Sequence, residues 1–393
     1  MNNDHRIVVL GAGYTGMLAA IRLAHRTRRT AVRITLVNPS ARFTERLRMH
    51  QVAAGQELAE HRIPDLIDGT GIAFVQGAAT AIDPDARTVA IDDGAVTLHY
   101  DTLVYALGSA TDTSLVPGAD VHAYTLNGPQ IAARFAARLD EVAAAGGTVA
   151  VCGGGLTGIE AATEIAEAHP GLRVTLISRD TPGTMMGDKA RAHLHKVFDR
   201  LGISVRTGTA ITKVLPDAVH LADGELVPSD ATLWTTGVKV PPLAAEAGIA
   251  VDDRGMVLVD ATLRSVSHPD IRPIGDAAAV RMPWGRIHGT CQSGIPTAQY
   301  TADAITRELR GRRVKPFRFG YIHQPVSLGR RDAVIQFTRA DDTPRRAYLK
   351  GRLAALYKET VSSSPVPVYR LSRRMNVRAQ VSKGGRATRV PAA

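Results

Sequence analysis

Two glycine triplets of identical spacing are the residues of this chain whose type and position could do chemistry. The first triplet, Gly11, Gly13 and Gly16, follows the apolar run 7–10, where a predicted strand turns into a helix. In such a turn the first glycine permits a tight bend, the second lets the backbone approach a pyrophosphate, and the third lets helix and strand pack closely. The N–H groups at the start of the helix would then bind the phosphates.

The same pattern returns in the middle of the chain, where Gly153, Gly155 and Gly158 follow the apolar run 148–152. One glycine-rich turn is weak evidence, because such turns also form strand-to-helix corners that bind nothing. Two of them, each between a predicted strand and a predicted helix, indicate two dinucleotides or a duplicated fold. We therefore predict an α/β fold with two Rossmann-like dinucleotide-binding domains.

The residue after the second strand of such a domain influences which dinucleotide binds. In the first unit the strand 32–37 is followed by Asn38, at a point where an acid usually accepts hydrogen bonds from ribose hydroxyls. An amide also binds a hydroxyl, but it does not repel a 2′-phosphate. Glu45, in the loop that follows, is either a substitute carboxylate or a solvated loop residue.

In the second unit the strand 173–177 is followed within three residues by Arg179 and Asp180. The planar fork of the Arg179 guanidinium suits a 2′-phosphate and favours NADPH. Asp180 could hold a ribose instead, which would favour NADH. Glu160, on the helix that opens this unit, either contacts the nicotinamide end of a cofactor or is favoured there by the helix dipole alone.

Three further glycines follow predicted strands, at turns where the backbone can approach a ligand. They are Gly108, Gly237 and Gly275. The carboxylate of Asp276, directly after the last of them, either accepts hydrogen bonds from a polyol chain or caps a helix.

The composition of the 393-residue chain, with 45% hydrophobic and 22% charged residues, is typical of a globular protein with two or three domains. The sequence contains no run of eighteen apolar residues and no leader before the first strand, so we predict a cytoplasmic location. Its two cysteines, Cys152 and Cys291, do not form a C-x-x-C motif, which argues against a dithiol of that type and against a metal site.

The net charge of +11 is concentrated near the C-terminus, where residues 305–393 contain 21 Lys and Arg against five Asp and Glu. Such a surface could contact an anionic membrane or an acidic redox protein, or it could simply be solvated. The absence of a recognition motif argues against a nucleic-acid partner. The apolar stretches 317–321, 326–329 and 333–337 predict a small sheet in this region, and 352–361 predict a helix.

Four motifs stand in one order along the chain: the first glycine triplet, the Leu107–Gly108 turn, the second triplet with Glu160, and Ile274–Gly275–Asp276. Over residues 6–310 this order resembles the two-dinucleotide-domain flavoproteins of the pyridine nucleotide oxidoreductase family. Residues 51–55 (QVAAG) and the Gly275–Asp276 segment resemble type II NADH dehydrogenases, and the chain length is similar to that of apoptosis-inducing-factor-like flavoproteins.

The resemblance implies FAD on the first triplet and NAD(P)H on the second, with hydride passing from NAD(P)H to the flavin. The residues implied for FAD are Gly11, Gly13, Gly16, Asn38, Gly108, Gly275, Asp276 and Ala298. Those implied for NAD(P)H are Gly153, Gly155, Gly158, Arg179 and Gly237. The implied domains are an FAD domain of residues 1–115 and 255–312, an NAD(P)H domain of residues 116–254, and an α+β interface domain of residues 313–393 with a basic tail.

The chain departs from the family in two respects. It lacks the paired cysteines of the disulfide reductases, and its helix near residue 298 keeps Ala298–Gln299 but has Asp303 where type II dehydrogenases have a second glutamine. Glu160, Gln299 and His50 remain candidates for catalytic groups that orient the rings.

The predicted function is that of an FAD-dependent NAD(P)H oxidoreductase. A quinone or a similar small aromatic molecule is the favoured acceptor, and an acidic ferredoxin-like protein or oxygen is the alternative. A flavin-bound redox sensor with little turnover is the rival from another class. The family also implies contact with a membrane surface or a homodimer through the third domain.

Overall fold

The computed structural model of the protein describes residues 4–388, and its elements are numbered here in chain order. The β-strands are β1 (His5–Leu10), β2 (Val32–Asn38), β3 (Ala73–Gln76), β4 (Ala79–Asp83), β5 (Thr88–Ile91), β6 (Val96–His99), β7 (Thr102–Tyr105), β8 (Ala110–Thr111), β9 (Ala123–Tyr124), β10 (Thr148–Cys152), β11 (Arg173–Ile177), β12 (Ser204–Arg206), β13 (Ile211–Val214), β14 (Ala218–Leu221), β15 (Leu226–Pro228), β16 (Ala231–Trp234), β17 (Val238–Lys239), β18 (Val257–Leu258), β19 (Ile271–Pro273), β20 (Ala278–Ala279), β21 (Arg281–Met282), β22 (Gly285–Arg286), β23 (His323–Ser327), β24 (Ala333–Thr338) and β25 (Pro344–Lys350).

The α-helices are α1 (Tyr14–Thr27), α2 (Met49–Ala53), α3 (Ile63–Ile67), α4 (Ala119–His122), α5 (Pro129–Ala144), α6 (Leu156–Ala168), α7 (Asp188–Arg200), α8 (Leu243–Glu246), α9 (Cys291–Glu308), α10 (Arg352–Ser363) and α11 (Pro365–Ser372). Short 3-10 turns cover Arg46–Arg48, Gly275–Ala277 and Gly385–Thr388.

The first glycine triplet follows the central strand of a five-stranded parallel sheet with the order β19-β7-β1-β2-β3. Ile7 to Leu10 in β1 are buried on both faces, as is expected for a parallel sheet covered on both sides. Helices α1, α9 and α11 share a hydrophobic core on one face. The edge strand β19 comes from the second half of the chain, so this unit is assembled from two separate stretches of sequence.

The second triplet follows the central strand of another five-stranded parallel sheet, ordered β12-β11-β10-β16-β9. Helices α5, α6 and α7 pack their apolar residues against it. A three-stranded antiparallel sheet accompanies each parallel sheet, namely β4-β5-β6 in the first unit and β13-β14-β15 in the second. The α/β fold with two dinucleotide-type sheets is therefore confirmed, while the domain boundaries remain a prediction.

The C-terminal part contains the antiparallel sheet β23-β24-β25 and helices α10 and α11. The prediction of a strand at residues 317–321 is wrong. Phe317, Phe319 and Tyr321 do alternate inward as strand residues would, but they fill a separate hydrophobic cluster. The backbone of this segment makes two isolated hydrogen bonds, to Ala261 and Ala340, rather than a ladder.

One hydrophobic core joins all three parts of the chain. It combines Met49 and Ala53 of α2 with the second parallel sheet and with Val326 and Val334 of the C-terminal sheet. Helix α11 is also fixed to the first unit, because the buried Tyr369 donates a hydrogen bond of 3.0 Å to the carbonyl of Tyr14. These contacts join the C-terminal part of the chain to both dinucleotide-type units.

Candidate functional site

The first glycine turn has two positions closed by packing and one that is open. Gly11 has φ +94°, and a Cβ there would lie 2.5 Å from the carbonyl oxygen of Ala106, while a Cβ on Gly16 would overlap the carbonyl oxygen of Gly11. A Cβ on Gly13 would meet no atom within 4 Å. Gly13 is also the N-cap of α1 and has no side-chain cap. The free space and the first N–H groups of the helix therefore fit a pyrophosphate.

The second turn repeats this geometry. Gly153 has φ +121°, a Cβ on Gly158 would overlap the carbonyl oxygen of Gly153, and a Cβ on Gly155 would meet nothing within 4 Å. Gly155 is likewise an N-cap without a side-chain partner. Both predicted cradles therefore have the shape that two dinucleotides require.

Asn38 supports the first cradle from within the protein. Its Oδ1 accepts a hydrogen bond of 2.9 Å from the N–H of Ala12, and its Nδ2 donates one of 2.8 Å to the carbonyl of Ser40. Contact with a ribose, predicted from its position, remains a prediction. Glu45 is not the solvated loop residue that one alternative described, because its side chain is buried, with Arg48 at 3.7 Å.

Asp276 lies where the Gly108 turn and the Gly275 turn meet. Its Oδ2 accepts a hydrogen bond of 2.7 Å from Oγ of Ser109. A Cβ on Gly289 would lie 2.9 Å from its Oδ1, so the glycine keeps a backbone segment close to the carboxylate. Gly108 has φ +66° with open space beside it. This arrangement fits the ribityl chain and ring of FAD. The Gly275–Asp276 motif forms a 3-10 turn rather than the start of a helix, which corrects the alternative of a helix cap.

A short antiparallel ribbon joins the segments that follow the Gly108 and Gly237 turns. Strand β17, directly after Gly237, pairs with β8, directly after Ser109, with Lys239 opposite Ala110. Gly237 itself has φ +79° and packs against Leu115. The segments that follow Gly108 and Gly237 therefore run side by side.

Arg179, the residue predicted to contact a 2′-phosphate, lies two residues beyond the carboxyl end of β11. Its side chain is exposed, and no ion pair of Arg179 occurs among residues 4–388. The neighbouring Ser178 lies against Gly154 of the second turn. Contact of the guanidinium with a phosphate remains a prediction.

Two predicted site residues of α9 are engaged within the protein. Ala298 is fully buried in the core between α9 and α1. Oε1 of Gln299 accepts hydrogen bonds of 2.6 and 3.0 Å from the N–H groups of Ala379 and Gln380. Asp303, the departure from the family, pairs with Arg22 in a bidentate contact of 2.7 and 3.0 Å. These side chains hold the structure together, and their predicted cofactor contacts remain untested.

His50 and Glu160 do meet, in a buried group that we call the acid–base cluster: His50, Glu160, Ser327 and Lys358. Nζ of Lys358 lies 2.9 Å from Oε1 of Glu160, and Nδ1 of His50 lies 3.8 Å from Oε2. The N–H of Ser327 donates a hydrogen bond of 3.1 Å to Glu160. Sequence analysis missed Lys358 and Ser327. Lys358 falls in the predicted helix 352–361, but nothing local links it to Glu160.

Burial and charge set the protonation of this cluster. Burial alone would raise the pKa of Glu160, but Lys358, His50 and the hydrogen bond from Ser327 outweigh it and hold the pKa below its usual range. Burial lowers the pKa of His50 to about 4, so its ring is neutral at pH 7. Glu160 lies in the second turn of α6, so the helix dipole is not what fixes it there, and the cluster keeps a carboxylate and an ammonium side by side.

The chain segment that carries His50 also reaches the Asp276 region. Arg46 donates a hydrogen bond to the carbonyl of Ser109, whose side chain binds Asp276. His50 lies in α2, which begins directly after the 3-10 turn Arg46–Arg48.

A second buried carboxyl, Glu164, lies one turn further along α6. Its Oε1 accepts a hydrogen bond from Gln56 and lies 3.6 Å from Arg330, whereas Oε2 has no hydrogen-bond partner. Burial raises the pKa of Glu164 to about 7, although Arg330 opposes the shift.

The described residues contain no group of three or more His, Cys, Asp or Glu that could hold a metal ion. Cys152 is a fully buried core residue, and burial raises the pKa of its thiol. Cys291 begins α9, and burial raises the pKa of its thiol to about 12. Neither thiol is set up as a nucleophile.

Comparison with known proteins agrees with this geometry. A family model described as pyridine nucleotide-disulphide oxidoreductase matches residues 5–303. The NADH dehydrogenase-like protein Rv1812c of Mycobacterium tuberculosis is 29% identical over 379 residues, which cover 91% of this chain and 93% of the relative. Demethylphylloquinone reductase NdbB of Synechocystis is 28% identical, over 90% of this chain and 92% of its own.

Solved structures show the same fold. The sulfide:quinone oxidoreductase of Aquifex aeolicus superposes with a TM-score of 0.81 at 21% identity, over 94% of this chain and 92% of that one. NDH2 of Plasmodium falciparum, solved with NADH, gives a TM-score of 0.79 at 15% identity, over 94% and 98%. None of the helices described between residues 4 and 388 has the length and apolar character needed to cross a bilayer.

Proposed function

Because the chain belongs to the pyridine nucleotide-disulphide oxidoreductase family and is an FAD-dependent NAD(P)H oxidoreductase, we propose that its electron acceptor is a small quinone. When bound, FAD supplies the redox chemistry: it takes a hydride from NAD(P)H and passes two electrons on. Relatives named for demethylphylloquinone and quinone reduction support this acceptor. We also propose that the predicted glycines, Asn38, Asp276 and Arg179 hold the two cofactors.

The proton balance of the reaction distinguishes a quinone from a one-electron protein acceptor. NAD(P)H, a quinone and one proton give NAD(P)⁺ and a quinol. NAD(P)H and two molecules of oxidised ferredoxin give NAD(P)⁺, two of reduced ferredoxin and one released proton. Quinone reduction therefore takes up one proton for each NAD(P)H oxidised, and ferredoxin reduction releases one.

The acid–base cluster is the observation that carries the proposal. Lys358 holds an exchangeable proton on Nζ, 2.9 Å from the carboxylate of Glu160, and the neutral ring of His50 lies on the other side of that carboxylate. The ion pair therefore places a cation and a carboxylate together in a buried position beside the ring of His50.

A small cavity adjoins this cluster. It has a volume of about 10 Å³, which is room for about one water molecule. Gln51, Ser327, Lys358 and Glu359 are among its lining residues, and Glu359 is 34% exposed. A water there would lie against both Lys358 and Glu359, whose carboxylate is paired with Arg48 at 2.9 Å and with Arg330 at 2.7 Å.

The proton balance is also the test. Under anaerobic conditions in a weakly buffered solution with a pH indicator, NAD(P)H oxidation by a short-chain quinone should consume one proton per NAD(P)H. Release of one proton per NAD(P)H with a ferredoxin, together with negligible turnover with the quinone, would replace this proposal by a ferredoxin-type reductase. Negligible turnover with both would favour the redox sensor.

We propose NADPH as the preferred donor, because Arg179 is free and no acid directly follows β11. We also propose a cytoplasmic location, which suits NAD(P)H and two free thiols. Contact with a membrane surface is supported by Leu353 and Leu356, which α10 exposes to solvent.

A further inference from the structure

A cavity lined almost entirely by cationic side chains lies at the end of α1 that is farthest from the glycine turn. We call it the arginine cavity. It has a volume of about 260 Å³ and is lined by His25, Arg26, Arg28, Arg29, Arg310 and Asn376. Helix α1 has 14 residues and is therefore about 20 Å long, so the cavity is separate from the phosphate cradle at Gly13.

Three segments far apart in sequence form its walls and are fixed by hydrogen bonds. Nη2 of Arg310, just after α9, donates a hydrogen bond of 2.9 Å to the carbonyl of Arg26 at the end of α1. Nη1 of Arg22 donates one of 2.7 Å to the carbonyl of Val377, next to Asn376. These hydrogen bonds fix the backbone segments that carry the lining residues, although the side chains of Arg28, Arg29 and Arg310 are themselves exposed.

The positive charge of this cavity is not balanced by the protein. Among residues 4–388, Asp303 is the one carboxylate that forms an ion pair with a lining residue, and it is shared between Arg26 and Arg22. The C-terminal ends of α1 and α9 each contribute about half a negative charge. Against these roughly two negative charges stand the four lining arginines and Arg22, so about three positive charges remain uncompensated.

The state of Arg26 agrees with this imbalance. Burial lowers its pKa, Asp303 opposes that shift, and the neighbouring arginines Arg22, Arg310 and Arg307 lower the pKa further. Its Nε has an ion-pair contact with Asp303 at 3.1 Å but no hydrogen bond of good geometry. An anion in the cavity would relieve the repulsion among these side chains.

We propose that the arginine cavity binds a phosphate group. Guanidinium forks match the oxygens of a phosphate with paired hydrogen bonds, and a dianion offsets most of the uncompensated charge. The volume admits a phosphate or a pyrophosphate. The group belongs either to a free phosphate compound or to the head of an anionic phospholipid, and the experiment separates these two sources.

The test titrates the FAD-loaded protein, saturated with NADP⁺ to block the second cradle, with inorganic pyrophosphate in a calorimeter at low salt. The variant Arg28→Gln/Arg29→Gln removes two lining cations that make no hydrogen bond or ion pair among the described residues. The control Arg134→Gln/Arg254→Gln removes the same charge from exposed positions elsewhere. One pyrophosphate should bind per chain. Its dissociation constant should rise about tenfold or more in the cavity variant and stay unchanged in the control.

A second arm measures sedimentation with phosphatidylcholine vesicles that contain or lack phosphatidylglycerol. Binding that needs phosphatidylglycerol and is lost in the cavity variant assigns the site to a lipid head group, whereas binding of pyrophosphate in solution assigns it to a free compound. Hydrogen exchange of residues 373–380 gives a further readout, because an anion at Asn376 should slow it.

The proposal is overturned if neither probe binds, or if the cavity variant and the control lose binding equally. NAD(P)H oxidation should be unchanged in the cavity variant, because Arg28 and Arg29 lie at the far end of α1. A failure of this proposal is therefore distinguishable from a failure of the proposed quinone reaction.

Discussion

Nζ of Lys358 lies 2.9 Å from Oε1 of Glu160, across the junction between the C-terminal sheet and the second nucleotide unit. Both side chains are about nine-tenths buried. The pair therefore joins α10 of the C-terminal part to α6 of the second unit, at the buried cluster on which the proposed function rests.

Replacing Lys358 with Met should destabilise the protein. The variant leaves the Glu160 carboxylate buried without its main cation, which costs about 3–5 kcal/mol of unfolding free energy. Thermal unfolding at pH 7 measures the loss, with Lys350→Met on the exposed edge strand β25 as the control. The double variant Glu160→Gln/Lys358→Met should regain part of the stability. Equal melting temperatures for the two Lys→Met variants would show that the pair has no such role.

Glu164 should make stability fall as the pH rises. Its pKa is about 7 in the folded protein and about 4.5 in the unfolded chain, so between these values the folded state binds more protons and the free energy of unfolding decreases with pH. The Glu164→Gln variant has no group that titrates here, so its free energy of unfolding should not decrease in this pH range. It should be more stable than the wild type by up to about 3 kcal/mol above pH 7 and equally stable near pH 4.5.

Melting temperatures of Glu164→Gln and the wild type from pH 5 to 8.5 check this expectation. The exposed Glu141→Gln serves as the control and should follow the wild type throughout. A constant difference between Glu164→Gln and the wild type over that range would contradict the raised pKa.

The two alanine variants Gly13→Ala and Gly16→Ala should fail in different ways. A methyl group at Gly13 meets no protein atom within 4 Å but enters the space assigned to the pyrophosphate, so this variant should fold and lose most of its flavin. A methyl group at Gly16 overlaps the carbonyl oxygen of Gly11, so this variant should unfold at a lower temperature even without flavin. Flavin content and apoprotein melting curves separate the two effects. Full flavin content in Gly13→Ala would place the pyrophosphate elsewhere.

Arg179→Gln should change the choice of donor. Loss of a guanidinium contact to the 2′-phosphate should raise KM for NADPH roughly tenfold to a hundredfold and leave KM for NADH nearly unchanged. Arg173→Gln, at the opposite end of β11, is the matched control. If the ratio of KM for NADPH to KM for NADH is the same in both variants, Arg179 does not bind the 2′-phosphate.

The sequence predicted best what depends on neighbouring residues. The glycine triplets and the β-branched runs before them specify both cradles locally, because turn geometry and strand burial act over a few residues. The α/β fold and the oxidoreductase class were confirmed on that basis. The strand predicted at 317–321 was wrong because alternation reports which side chains are buried and does not report whether a neighbouring strand is available to pair.

Long-range partners could not be predicted in this way. Lys358 reaches Glu160 only because α10, β23 and α6 pack together, and Asp303 pairs with Arg22 across the α1–α9 contact. Asn38 could be placed at the strand end, but its hydrogen bond to the N–H of Ala12 depends on the conformation of the folded turn.

Anaerobic stopped-flow absorbance of the FAD-loaded protein tests the central claim most directly. NADPH should bleach the flavin rapidly, NADH more slowly, and a second mix with a short-chain quinone should restore the oxidised spectrum much faster than a mix with ferredoxin. A protein that neither copurifies with FAD nor takes it up, or a bound flavin that bleaches only slowly with both nucleotides, would contradict the account.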